Sequence, residues 1–381
     1  MNADETAIIG YEISTAAEKK IGDVRGRLKM AGQIKSSNLA DSLDRHREFG
    51  EGPGSRALAV VNARALADIM PMAEAISLMT LAMQELSAGM VTAPERWGMS
   101  VGPEGKLVLM PGVIPHIGSF GLKVLSLFPN AAANGLHGHQ GMVLLFDTEN
   151  GRLLCAVDSH AVTGLRTAAA SAAATRILAR AESRSLALIG CGDLARLHAD
   201  AISLVRPIDE IIVWGRSTEK AARFAEYCRA RLSARVIIAG TAREAVERAD
   251  IICTVTSSPV PLLEGRWLKP GQHLNLVGSS TRASREVDDE AVARGLFVVD
   301  SRPHALSQAG ELRHAIEHGH VDEKHVAAEI GEVLAGKAMG RSSDAMITTY
   351  KSLGHVAQDI RLIDTVYNRL GQSAHVVYVP W

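Results

Sequence analysis

The residues best placed to do chemistry are Gly190-Cys191-Gly192-Asp193-Leu194-Ala195, which follow the apolar run SLALI and open an amphipathic stretch. Their spacing is G-x-G-x-x-A, the turn that cradles the pyrophosphate of a dinucleotide. Gly190 permits the tight turn, Gly192 lets the backbone approach the pyrophosphate, and the small Ala195 lets helix and strand pack closely. Free N–H groups and the helix dipole favour the anion there. A structural strand–helix turn uses the same glycines, so the motif takes its weight from the strand, helix and second strand around it. That second strand, EIIVW, ends in Gly215-Arg216-Ser217-Thr218 without a carboxylate. NAD sites place Asp or Glu here for the ribose 2′-hydroxyl, whereas Arg216 can pair with a 2′-phosphate and Ser217 and Thr218 can donate to it. The set favours NADPH over NADH, with a solvated arginine beside the next helix as the plainer alternative.

Other reactive side chains carry less. Cys155, Cys191, Cys228 and Cys253 form no C-x-x-C pair and read as small packing residues, neither a zinc site nor a disulfide framework. A reducing cytoplasm is the expected compartment. His314, His318, His320 and His325 are spaced like a metal patch, but no nearby strand, cysteine or carboxylate supports one. A solvated helix end is expected there, and no metal.

The elements that must position these residues alternate regularly after residue 184. SLALI, EIIVW, RVIIAG, DIICTVTS, HLNLVGS and LFVVDS read as buried strands. DLARLHADAISL, TEKAARFAEYCRARL and AREAVERA read as helices between them. Apolar strands alternating with amphipathic helices predict a parallel sheet covered on both faces. Before this lies the alanine-rich TAAASAAATRILARA, a helix opened by Arg166. Earlier still, KLVLMP, LKVLSLFP, GMVLLFD and LLCAVD read as short strands, and LAVVN as another. The stretch ARALADIMPMAEAISLMTLAMQELSAG repeats apolar residues at helical spacing, broken near Pro71. Residues 342–370 are predicted helical and return to the first domain.

Composition bounds the rest. The 381 residues allow two or three domains. Lys plus Arg number 41 against 42 Asp plus Glu, which leaves no electrostatic footprint for nucleic acid. Hydrophobic residues at 47% exclude global disorder, and aromatics at 4% argue against base-stacking platforms. No apolar stretch approaches the roughly 20 residues of a membrane span, and the N-terminus MNADETAIIGYEIS does not read as a signal peptide. Residues 1–56 are polar and charge-rich, end at the break Gly50-Glu51-Gly52-Pro53-Gly54, and read as an extension, either an amphipathic helix or an arm.

Taken together, Pro94-Glu95-Arg96, Gly121-Leu122-Lys123-Val124, Phe128-Pro129-Asn130 and Leu144-Leu145-Phe146-Asp147 resemble the ornithine cyclodeaminase/mu-crystallin family. So do Thr163-Gly164-Leu165-Arg166-Thr167-Ala168-Ala169, the glycine turn, Gly271-Gln272-His273-Leu274-Asn275, Arg285-Glu286-Val287-Asp288 and Tyr350-Lys351-Ser352-Leu353-Gly354. The resemblance spans roughly residues 57–370. It implies an α/β protein in which a Rossmann dinucleotide-binding domain (168–345) is inserted into a discontinuous α+β substrate and dimerisation domain (57–167 and 346–381). A homodimer is expected, with a small imino or amino acid as substrate and neither nucleic acid nor membrane as partner.

Site residues follow from the same resemblance. Arg96, Lys123 and Arg166 match the family's carboxylate-binding trio, as an acid substrate requires. A lysine in an apolar strand is otherwise an ordinary solvent-facing residue, and Arg96 alone an ordinary loop arginine. His139 is a candidate polar contact or proton donor, or simply a loop histidine. Thr167, Thr256, Val277 and Gly278 join the glycine turn, Arg216, Ser217 and Thr218 as expected cofactor contacts. Trp97, Met99 and His116 are candidates for the substrate pocket. Ser280 departs from the cyclodeaminases, which carry an aspartate there, and resembles the crystallin and ketimine reductase branch. A serine hydroxyl is a poor general base unless activated, yet hydride transfer needs no base at that point. The expected activity is therefore an NAD(P)H-dependent imine reductase or amino acid dehydrogenase. Catalysis would rest on Lys123, Arg166 and Ser280, with the proton from Lys123 or a bound water and Ser280 orienting water or the nicotinamide amide. An ornithine-type cyclodeaminase with catalytic NAD and an NADPH-retaining ligand-binding protein of crystallin type are the alternatives.

Overall fold

Two sets of apolar strands pair into two separate sheets, and one long helix touches both. The computed structural model describes residues 57–128, 130–131 and 135–380; the extension assigned to 1–56 and Pro129 of the family motif lie outside the described residues. The first sheet has seven strands in the order β15-β1-β6-β5-β4-β3-β2. These are β1 (Ala57–Val61), β2 (Trp97–Val101), β3 (Gly105–Ile114), β4 (Ser119–Leu127), β5 (His139–Asp147), β6 (Leu153–Asp158) and β15 (Val377–Pro380). The strands from β2 to β6 form an antiparallel meander, β1 joins β6 in parallel, and β15 closes the other edge antiparallel to β1. Helices α1 (Ala63–Ile69) and α2 (Met72–Ser87) follow β1 and meet at 86° across Pro71, which supplies the N-cap of α2. Among the described residues no single helix is long and apolar enough to cross a membrane.

The second sheet has eight strands, all parallel, in the order β13-β12-β14-β11-β10-β7-β8-β9. They are β7 (Ser185–Ile189), β8 (Glu210–Trp214), β9 (Arg235–Ile238), β10 (Ile251–Thr254), β11 (His273–Leu276), β12 (Leu296–Val299), β13 (Val326–Glu329) and β14 (Thr348–Lys351). The chain runs outward from β7 through β8 to β9 and restarts at β10 on the other side of β7. Such a reversal opens a crevice at the carboxyl ends of β7 and β10, where doubly wound sheets bind nucleotides.

Helix α3 (Ser159–Leu178) packs on α2, β5, β11 and β14 and so joins the sheets. It starts seven residues before Arg166, because Asp158 accepts hydrogen bonds from the N–H groups of His160 and Ala161 and caps it. Alanine is the side chain that lets a helix sit this close to its neighbours, and residues 168–170 and 172–174 are all buried. The segment 342–370, expected to be helical and to return to the first domain, first supplies β14, between β12 and β11 in the parallel sheet. Its four residues, TTYK, are buried on both faces and show no alternation to read. Only then does α11 (Val356–Tyr367) pack on β3, β4 and β5.

Candidate active site

Lys123 lies on the covered face of β4, with Ser119 and Gly121, and is 1% exposed. It is not the solvent-facing lysine its strand would ordinarily hold. A buried ammonium needs partners. Lys123 Nζ donates to Asp359 Oδ1 of α11 at 2.9 Å and to Thr163 Oγ1 of α3 at 2.6 Å. An ammonium has three donors, so one remains for a ligand. Arg166 stands one helical turn after Thr163, on the same face of α3. It is buried; its Nε is 3.5 Å from Asp359 Oδ1 and its Nη1 donates to Gln358 Oε1 at 2.9 Å. Gly354, at φ +81°, presses its backbone on the guanidinium, where a Cβ would collide with it.

Arg96, half-buried just before β2, completes the cluster electrostatically. Its charge and that of Arg166 both depress the proton affinity of Lys123, Asp359 opposes them, and burial dominates, bringing the lysine down to about 8. Burial also lowers Arg96, against the attraction of Asp300. Arg96 Nε and Nη2, Arg166 Nε and Asp359 Oδ2 are buried without a hydrogen-bond partner among the described residues. Among the described residues, the carboxylates facing the three cations are Asp359 and, toward Arg96, Asp300. Asp300 already accepts from the N–H groups of Ser301, Leu353 and Gly354. Three cations against two carboxylates leave one positive charge and several free donors, which is what one ligand carboxylate would satisfy. Asp359, Gln358, Thr163 and Asp300 escaped the sequence reading. One signal was available: Asp359 sits on the apolar stripe of its helix, between Val356 and Ile363, where an unpaired acid has no place.

The nucleotide crevice is built by the glycine turn. Gly190 has φ +120°, and a Cβ there would meet Val255 O at 2.8 Å. Helix α4 (Asp193–Ser203) begins after Gly192 with no side-chain cap, so its first N–H groups are free for an anion. Ala195 is fully buried between helix and sheet and Leu194 half-buried. The Asp193 carboxylate turns to Arg196 at 3.6 Å. At the end of β8, Arg216 and Thr218 are exposed, and Ser217 Oγ accepts from Lys220 N as N-cap of α5 (Thr218–Arg231). The Ser217 hydroxyl proton is therefore still free to donate. Thr256 and Gly278 follow β10 and β11 side by side, Val277 is buried, and Thr167 is buried next to Arg166. These residues fit a dinucleotide: a strained glycine, an uncapped helix and the strand reversal coincide.

Other expected residues stand apart from the buried cluster. Ser280 is half-buried in the loop after β11 and makes no side-chain hydrogen bond among the described residues. His139 opens β5 at the surface; partial loss of water and the Lys123 and His160 charges hold it below the usual histidine range. Trp97 and Met99 are exposed, and His116 Nε2 pairs with Glu85 Oε1 at 2.8 Å. The histidine patch has a carboxylate after all. His314 Nδ1 is 2.7 Å from Asp289 Oδ1, its ring stacks on His318, and His320 Nε2 is 3.7 Å from Asp289 Oδ2. Asp289 precedes the patch by 25 residues, beyond the reach of spacing rules. Arg285 occupies the same spot, 2.6 Å from His314 Nδ1 and 3.2 Å from Asp289 Oδ1, and supplies the positive charge. His325 lies elsewhere, its Nε2 on Val292 O. Cys155, Cys228 and Cys253 are buried and Cys191 half-buried, all as free thiols.

Residues 58–374 match the ornithine cyclodeaminase/mu-crystallin family. The chain is similar to the Delta(1)-pyrroline-2-carboxylate reductase of Bacillus cereus, 32% identical over 312 residues, covering 81% of this chain and 96% of that protein. It is 34% identical to the ketimine reductase mu-crystallin of Rattus norvegicus over 264 residues, 69% of this chain and 80% of the relative. Among solved structures, the Delta(1)-pyrroline-2-carboxylate reductase of Thermococcus litoralis, in complex with NADH and L-proline, superposes with a TM-score of 0.82. It is 31% identical and covers 84% of this chain and all of that one. Match, fold and glycine turn agree: the chain belongs to the ornithine cyclodeaminase/mu-crystallin family.

Proposed function

We propose that this protein is an NAD(P)H-dependent reductase of small α-imino acids, with NADPH as the preferred cofactor. The observation that carries the reading is the buried Arg96–Lys123–Arg166 cluster with its unpaired donors, carried in part by α3, which also packs on β11 and β14 of the parallel sheet. The three reductases to which the chain is similar support the same chemistry. The parallel sheet would hold the dinucleotide through Gly190, Gly192, the α4 N-terminus, Thr167, Thr256, Val277 and Gly278. Arg216, with Ser217 and Thr218, would hold a 2′-phosphate.

When bound, the reduced nicotinamide supplies a hydride. The protein's own work is to hold the imine. Arg166 Nε and the free Arg96 donors fix the carboxylate beside the Lys123 charge, which turns the C=N group toward the third Lys123 N–H. Lys123 is ionised at neutral pH, and its Nζ can release a proton to the imine nitrogen while Asp359 and Thr163 hold the amine. Ser280, with an unengaged hydroxyl, orients water or the nicotinamide amide. The cyclodeaminase reading needs a carboxylate where Ser280 stands, and a serine does not replace it.

The test is to supply NADPH or NADH with cyclic and acyclic α-imino acids, wild type beside Arg216→Ala, and to follow reduced-nicotinamide absorbance. Net consumption of NADPH is expected, with Arg216→Ala losing affinity for NADPH and not for NADH. Ammonia release from ornithine with no net change in nicotinamide would identify a cyclodeaminase. Tight NADPH binding without turnover would identify a binding protein.

A further inference from the structure

Beneath the crevice lies a buried acid that the mechanism above does not use. Glu286 is fully buried, and both its oxygens face only donors. Oε1 accepts from Thr256 N and Thr256 Oγ1, each at 2.7 Å. Oε2 accepts from Thr254 Oγ1 at 2.8 Å, Gly278 N at 2.7 Å and Ser279 N at 3.3 Å. Burial raises the proton affinity of this group, while Lys351 and the threonines oppose that rise. Three of the five partners are backbone N–H groups that can only donate, and the two threonine hydroxyls also donate, an arrangement that suits the ionised form.

These donors come from the ends of two neighbouring strands, β10 and β11, which pair directly. Thr256 also packs on the glycine turn, since a Cβ on Gly190 would lie 3.2 Å from its Cγ2. The loops after β7, β10 and β11 thus share one anchor. The anchor is itself held: Glu286 N donates to Glu311 Oε1 at 3.2 Å, and Lys351 Nζ lies 3.1 Å from Glu311 Oε2 and donates to Ser279 O at 2.5 Å. Lys351 ends β14, three residues before Gly354, which rests on Arg166. The carboxylate clamp and the cofactor loops are therefore referenced to one strand end.

We propose that Glu286 is a positioning residue for hydride transfer. Its carboxylate sets the loops of Thr256 and Gly278 at the spacing the nicotinamide requires, without touching either reactant. The inference rests on the reductase reading above.

The test uses the full-length protein and two variants. Glu286→Gln keeps the shape but turns an amide N–H₂ against donors. Thr254→Val removes one donor from a residue outside the cofactor set. A buried donor left unpaired weakens function by about tenfold or more. In Glu286→Gln the Kd for NADPH, read by fluorescence titration, should rise by about that factor, with a smaller rise in Thr254→Val. The KM for the imino acid should stay near wild type. The kinetic isotope effect with cofactor deuterated at the transferred position should grow, because a misplaced nicotinamide makes hydride transfer slower. If Glu286→Gln does not fold, Thr254→Val carries the test through the same two readouts. Wild-type Kd and isotope effect in the folded variants would overturn the proposal, as would a wild-type protein that binds neither NADPH nor NADH. Weakened cofactor binding in the variants of a protein that reduces no imino acid would refute the reductase reading and support the anchor.

Discussion

Lys123 is the residue on which the reading turns. In a strand of ordinary composition it looks like a solvated lysine, and its partner Asp359 is 236 residues further on, so no local pattern discloses the pair. The glycine turn was legible because everything it needs lies within a few residues. The cation cluster followed only from the family resemblance, and of its counter-ions only Asp359 left a trace, as an acid on the apolar stripe of its helix. Burial gives the pair a measurable consequence. Lys123 is charged below about 8 and neutral above it. In the proposed mechanism it would have to be charged to attract the carboxylate and to release a proton, so kcat/KM for an imino acid should fall as pH rises through about 8. The profile of kcat/KM reports the free enzyme. Asp359 raises this proton affinity, so Asp359→Asn should move the alkaline limb to lower pH. Removing one partner of a buried pair costs on the order of 3–5 kcal/mol, and a thermal melt identifies the temperature at which the variant is still folded. An alkaline limb that does not move would detach Lys123 from catalysis.

At the scale of elements, the parallel sheet followed from alternating strands and helices, while two boundaries did not. Helix α3 starts at Ser159 because Asp158 caps it, and this puts Thr163 on the face of Arg166. Strand β14 was hidden by its length. The first sheet holds a third feature. Antiparallel sheets with one wet face alternate apolar and polar residues. Here the face opposite α11 is apolar too: Leu107, Leu109, Phe120, Leu122, Val124, Leu144 and Phe146 are only half-buried, and Phe120 stacks on Phe146. Edge strand β2 adds exposed Trp97, Met99 and Val101. A face of this kind calls for cover, and a second copy of the chain would supply it. Light scattering should give twice the chain mass of 40.6 kDa, and Leu122→Glu should reduce it to one chain. A wild-type mass of 40.6 kDa would contradict the dimer.

For the whole molecule, near-neutral charge conceals a concentration of opposite charges inside. Lys123 and Lys351 are both buried, each beside a buried acid, Asp359 and Glu311. The first pair lies where a substrate carboxylate would rest, the second beneath the loops that would hold the cofactor, and α3 and the β14–α11 connection join them. If the cation cluster reads a carboxylate on an imine, removing that carboxylate from the substrate should abolish most of the activity. Reduction of Δ1-pyrroline-2-carboxylate is to be compared with that of 1-pyrroline, the same ring without the acid, at neutral pH with NADPH. A site built to pair a buried group rejects the analogue lacking it by about 10⁴-fold. A kcat/KM ratio of that order in favour of the acid is expected, collapsing in Arg166→Met; equal kcat/KM for the two imines would rule out carboxylate recognition by the cluster.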